Sequence, residues 1–104
     1  MNPKGRPRKI RHVQAIPKIS QFSPRGRPGR PDEIILGIDE FETLKLADYQ
    51  NLDQATGAKI MKISRPSFGR ILREARRKLV DALVNGKIIR FFGGPISISG
   101  DLTS

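Results

Sequence analysis

The chain has no cysteine and a single histidine, and seven of its ten acidic residues fall within residues 32–53. Without cysteine there is neither a disulfide framework nor a thiolate metal site. His12 stands without a carboxylate cluster beside it, so it reads as structural or solvated, and no metal or other cofactor is expected. No apolar run approaches the roughly 18 residues that a membrane helix needs. The basic N-terminus lacks the apolar core of a secretory signal. No nucleophile–base pair or metal constellation is visible, so an enzyme is not expected.

What is present is positive charge. Over 104 residues the net charge is +10 and the pI near 10.9, which favours a polyanionic partner. A chain of this length forms one small domain with a modest core, and 37% apolar residues imply that part of it lies outside that core. Residues 1–31 hold nine Lys/Arg and no Asp/Glu, and residues 59–90 hold ten Lys/Arg against Glu74 and Asp81. Two cationic blocks around an acidic one describe a protein with a binding side and a non-binding side.

Residues 1–31 contain six prolines and read as a basic arm, with one short strand around Ile10–Ile16. Two near-repeats, Lys4-Gly5-Arg6-Pro7-Arg8-Lys9 and Arg25-Gly26-Arg27-Pro28-Gly29-Arg30, share a Gly-Arg-Pro core that resembles the AT-hook. In that motif an extended backbone follows the minor groove and arginine enters it, a role open here to Arg6, Arg8, Arg25 and Arg27. A flexible phosphate-attracting arm and ordered structure without a nucleic-acid role are the competing readings.

Glu33–Ile38 is a short β-branched run, read as a strand. Asp39 with Glu42 forms a D-x-x-E variant of the capping box for a helix from about Glu40 to Ala47, buried through Phe41, Leu44 and Ala47. The carboxylates here suit capping and a solvated face, not catalysis or metal binding.

Leu52–Leu83 reads as two helices and a tight turn. Asp53 caps the first, in which Ala55, Gly57, Ala58 and Met61 carry the packing side; Lys62 and Ile63 make the turn; Ser64 caps the second, with Pro66 in its first turn. Gly57 costs about 1 kcal/mol of helix propensity, so a packing reason is expected. Phe68, Ile71, Leu72, Ala75, Leu79 and Ala82 form one apolar stripe. The other face holds Arg65, Ser67, Gly69, Arg70, Arg73, Arg76, Arg77 and Lys78, offset only by Glu74. That is the pattern of a helix entering a DNA major groove: Arg65, Ser67, Gly69 and Arg70 near base edges or phosphates, and Arg73, Arg76 and Arg77 along the backbone. The bland alternative is a solvated cationic helix.

After Asn85-Gly86, a helix stop, Lys87–Phe92 is a strand candidate and Ile96 and Ile98 alternate with Ser97 and Ser99. This tail pairs either with Glu33–Ile38 or with the same element of a second chain. A strand after a recognition helix in so small a protein suggests a dimer, since a lone short sheet is marginal. Val80, Leu83, Val84 and Ile88, which exceed what one apolar stripe needs, point the same way to a homo-oligomer.

With its basic Pro7-Arg8-Lys9 start, DEFETLKLAD (39–48), SRPSFGRIL (64–72) and DALVNGK (81–87), most of the chain resembles uncharacterised protein family 0251, also called domain of unknown function 134. The resemblance implies a helix-turn-helix similar to region 4 of sigma factors, with Arg65, Pro66, Ser67, Gly69 and Arg70 facing DNA. Two positions depart from the family pattern. Lys62 stands where the turn usually has glycine, at a cost of about 1 kcal/mol if its φ is positive. Gln14 stands where relatives often have cysteine, so metal or redox chemistry is not carried over. The chain also ends soon after the helix, and no appended domain is expected.

The expected fold is therefore mainly α, a three-helix, sigma region 4-like helix-turn-helix (residues 32–104) with short flanking strands and an extended basic N-terminal arm (residues 1–31). The expected function is binding of double-stranded DNA as a transcriptional regulator, in the cytoplasm and on the nucleoid, with no membrane partner. The alternatives are a nucleoid-type architectural protein using its Gly-Arg-Pro segments and an RNA-binding protein; the chain lacks an aromatic stacking pair on a sheet, but Phe91 and Phe92 keep the RNA reading open.

Overall fold

A computed structural model describes residues 10–26, 29, 31–94 and 96–98. In chain order the elements are β1 (Arg11–Val13), β2 (Gln21–Phe22), β3 (Glu33–Leu36), α1 (Ile38–Leu44), α2 (Gln54–Met61), α3 (Arg65–Asn85), β4 (Ile88–Phe91) and β5 (Ile96–Ile98). The three helices and short strands agree with the mainly helical expectation.

α3 is the spine. Its stripe serves two apolar clusters at once. Phe68 and Leu72 join Leu46, Ala58 and Met61 in one, while Ala75 and Ala82 join Leu36 and Ile89 in the other. Full burial of a side chain such as Phe68 is worth about 1.5–3 kcal/mol. The approach of α2 is set by Gly57, where a Cβ would lie 2.5 Å from the Phe68 ring. The glycine's propensity cost is therefore offset by close helix packing. Ala55, by contrast, is exposed and takes no part in that packing.

The turn between α2 and α3 closes as the sequence implies. Lys62 is left-handed (φ 58°, ψ 44°), and the Ile63 N–H bonds back to the Ala58 carbonyl at 3.0 Å. That six-to-one bond is the signature of a Schellman end. Ile63 packs against the first cluster as the plug. Asp53 accepts from the Thr56 N–H at 2.7 Å and Ser64 from the Ser67 N–H at 3.2 Å, so both predicted caps are in place.

α1 departs from its expected start. The N-cap is Gly37, two residues before Asp39, and the Gly37 N–H donates to Glu40 Oε1 at 2.8 Å. Glu40, not Glu42, reaches back. Glu42 is instead fully buried, accepts from the Gln14 N–H at 3.0 Å and lies 3.1 Å from Lys45 Nζ. α1 runs on as a π-helical turn over Lys45–Tyr49, closed by Gln50 N–H to Lys45 carbonyl at 2.8 Å. The wider turn alters the angular spacing, and Leu46, outside the expected Phe41/Leu44/Ala47 face, becomes fully buried.

The C-terminal strand pairs within the chain. β4 lies between β2 (antiparallel) and β3 (parallel, Glu33 opposite Ile88 to Leu36 opposite Phe91). Both its edges are occupied. β5 pairs in parallel with β1. Segments of the stretch read as a basic arm are thus bonded to the C-terminal strands, and Val13 and Arg11 are buried. Phe41 of α1 meets Phe91 of β4 edge to face, with centroids 5.4 Å apart, tying the sheet to the helices.

Candidate nucleic-acid interface

The cationic face of α3 divides into two halves. In the first, Ser64 caps the helix and Ser64 Oγ donates to Ser67 Oγ at 2.9 Å. The Ser67 side chain is thereby engaged at the helix start. Arg65 and Pro66 are exposed in the first turn, and Arg70 and Arg73 are exposed beyond it. Arg65, Arg70 and Arg73 form no salt bridge among the described residues. Their charges stand toward solvent at the end where the helix begins.

In the second half the cations are held by carboxylates. Arg76 donates to Asp48 from Nε at 3.0 Å and from Nη2 at 2.7 Å, a bidentate pair. The bond raises the Arg76 pKa and lowers that of Asp48. Arg77 holds Glu74 one turn back, with Nη2 at 2.5 Å from Oε2, which raises the Arg77 pKa and lowers that of Glu74. Lys78 reaches Glu40 Oε1 at 2.8 Å and the Ile35 carbonyl at 3.0 Å. The sequence suggested that only Glu74 offsets the cluster; Asp48 and Glu40 join it through the fold.

Gly69 is half-buried, and a Cβ there would come 2.9 Å from Gln54 Oε1. The helix at this point abuts the start of α2. In the second Gly-Arg-Pro segment, Arg25 is exposed, while Gly26 and Gly29 have φ of +75° and +81°. These are turn conformations, unlike the extended backbone expected of a minor-groove ribbon. Arg6, Arg8 and Arg27 lie outside the described residues.

What local spacing could not show is a cleft of about 510 Å³ beside α3. Arg70 and Arg73 line one wall, and Arg11, Asp39, Phe92 and Gly94 are among its other lining residues. Among the described residues no group of three His, Cys, Asp or Glu side chains is placed to hold a metal, and no helix is long and apolar enough to cross a membrane.

Comparison with known proteins places these features in a family. The chain matches the family described as "Protein of unknown function DUF134" over residues 1–99. It is 44% identical over 96 residues to a UPF0251 protein of Prosthecochloris aestuarii, covering 91% of this chain and 62% of that one. It is 48% identical over 90 residues to UPF0251 protein Teth39_0655 of Thermoanaerobacter pseudethanolicus, covering 86% and 76%. It is 44% identical over 97 residues to UPF0251 protein TTE1845 of Caldanaerobacter subterraneus subsp. tengcongensis, covering 92% and 82%. The chain spans only 52% of a relative from Chlorobium chlorochromatii. No solved structure matches. The match along nearly the whole chain agrees with the resemblance carried by SRPSFGRIL and DALVNGK, and the chain belongs to the UPF0251 (DUF134) family.

Proposed function

We propose that the protein binds double-stranded DNA as a transcriptional regulator, with α2 and α3 acting as a helix-turn-helix similar to region 4 of sigma factors. The first two turns of α3 enter the major groove. One observation carries this reading: Arg65, Arg70 and Arg73 stand exposed at the capped start of α3 with no intramolecular salt bridge among the described residues, whereas the cations farther along are paired. In the first turn of α3, where Arg65 lies, the helix dipole disfavours a cation. A helix that meets phosphates and guanine edges gains counterion release and bidentate hydrogen bonds. Arg65 and Arg70 read bases, and Arg73 contacts phosphate. Arg76 and Arg77 contribute to the general positive field.

The active form is a homodimer. β4 is enclosed within its own sheet, so the dimer forms through the apolar stripe of Val80, Leu83 and Val84, which are 53%, 71% and 75% exposed. The stripe lies at the far end of α3 from the DNA-facing turns.

Selection of bound duplexes from a random pool tests the reading. Recovery of a two-fold related motif supports it; recovery of no sequence preference beyond A·T content replaces it with an architectural role, and tighter binding to RNA than to duplex replaces it with RNA recognition.

A further inference from the structure

The cleft between the start of α3 and the end of β4 has the make-up of a second nucleic-acid contact. Three carboxylates line it, and each is matched by a cation. Asp39 lies 3.8 Å from Arg11, Glu40 is 2.8 Å from Lys78, and Glu74 is held by Arg77. The lining cations left without a salt bridge among the described residues are Arg70 and Arg73. The cleft therefore carries an excess of positive charge along the α3 wall, facing outward beside the helix proposed to enter DNA.

The lining also carries an aromatic ring in the open. Phe92 is 70% exposed, yet its backbone is fixed on both sides. Its N–H bonds to the Leu36 carbonyl at 3.1 Å, and the carbonyl of Gly93 accepts from the Ile38 N–H at 3.1 Å. Gly94 then turns the chain at φ +99°, at a place where a Cβ would lie 2.9 Å from Asp39 Oδ1. With the backbone already fixed, covering the ring costs the ordering of its side chain but not of the main chain.

Resting on the DNA-binding reading above, we propose that this cleft seats the sugar–phosphate backbone of the strand flanking the major groove. Arg73 holds a phosphate, and the Phe92 ring packs on the adjoining deoxyribose. The β4 end and the Phe92–Gly94 loop thus work as a wing beside the recognition helix. Arg70, which also lines the cleft, stands where the groove-facing turns meet it.

The test is titration of the full chain onto a fluorescently labelled, mixed-sequence duplex of about 20 base pairs, two helical turns, across a salt series. Phe92→Ala is expected to weaken binding about tenfold with the salt slope unchanged, since the lost contact is uncharged. Phe92→Tyr should restore binding. Arg73→Ala should reduce the salt slope by about one. Tyr49→Ala, which removes another exposed aromatic side chain away from the cleft, should bind as wild type does. If Phe92→Ala binds like wild type while Arg65→Ala loses preference for a selected duplex over the mixed-sequence one, the wing is wrong and the recognition helix stands. If the wild-type chain fails to bind the duplex even at about 50 mM salt, where phosphate contacts are strong, both fall.

Discussion

Arg76 and Asp48, 28 positions apart, share two hydrogen bonds of 2.7 and 3.0 Å, and the pair joins α3 to the π-helical end of α1. The pair takes one of the cations of α3 out of the unpaired set. Replacing Arg76 by alanine should therefore cost stability more than affinity. Both side chains are about half exposed, so the loss is at most about 1 kcal/mol after solvent screening. Thermal melting checks that figure, and duplex titration should show a smaller loss for Arg76→Ala than for Arg73→Ala. Asp48→Asn should free the guanidinium and raise duplex affinity.

The same pair gives a pH dependence. Hydrogen bonding to Arg76 holds the Asp48 carboxyl below its ordinary value of 3.8, and Asp53, Glu74 and Asp81 are lowered too. For a carboxylate lowered by folding, the contribution is fully present above the ordinary value and is lost as pH falls through the folded one. The melting temperature should thus stay level from about pH 7 to 5 and fall below about pH 4. Asp48→Asn should show a shallower acid fall. An equal fall in both proteins would remove the pair from the account.

Two helix-turn positions make opposite predictions. At Gly57, where an added Cβ meets the Phe68 ring at 2.5 Å, alanine should destabilise by about 1–3 kcal/mol despite its better helix propensity. At left-handed Lys62, glycine should relieve strain and stabilise by about 1 kcal/mol. Denaturant midpoints with unchanged slopes would report both.

The Val80, Leu83 and Val84 stripe predicts self-association through α3. Leu83→Glu should convert a dimeric mass in light scattering to a monomeric one while leaving the melting transition intact, because the residue is 71% exposed in the single chain. A monomeric wild-type chain would overturn the dimer and leave the α3 surface free for another role.

The parts of this fold that depend on neighbouring residues were legible in the sequence. Asp53, Ser64 and Gly86 mark helix ends through bonds spanning three to five positions, Pro66 does so through its fixed φ, and α2, the turn and α3 follow from them. Lys62 was legible as a position needing positive φ only through the family resemblance. The start of α1 was misplaced because two acidic residues compete for one capping role; Gly37 wins it for Glu40, and Glu42 is drawn inward by a backbone donor, Gln14, that lies 28 positions away. The pairing of β4 with β2 and β3, the burial of Leu46 by the π turn and the capture of Arg76 by Asp48 all arise from contacts distant in sequence. So does the cleft, whose walls come from α3, α1 and both ends of the described chain. Charge patterning could mark α3 as cationic, but not which of its arginines the fold had already paired.

The central claim is that the first turns of α3 read base pairs. It is tested most directly by measuring wild type, Arg65→Ala and Arg70→Ala on a selected duplex and on its scrambled counterpart. A loss of about 1–3 kcal/mol is expected on the selected site, with relaxed preference between the two. An equal loss on both duplexes would contradict base reading and make these arginines phosphate contacts.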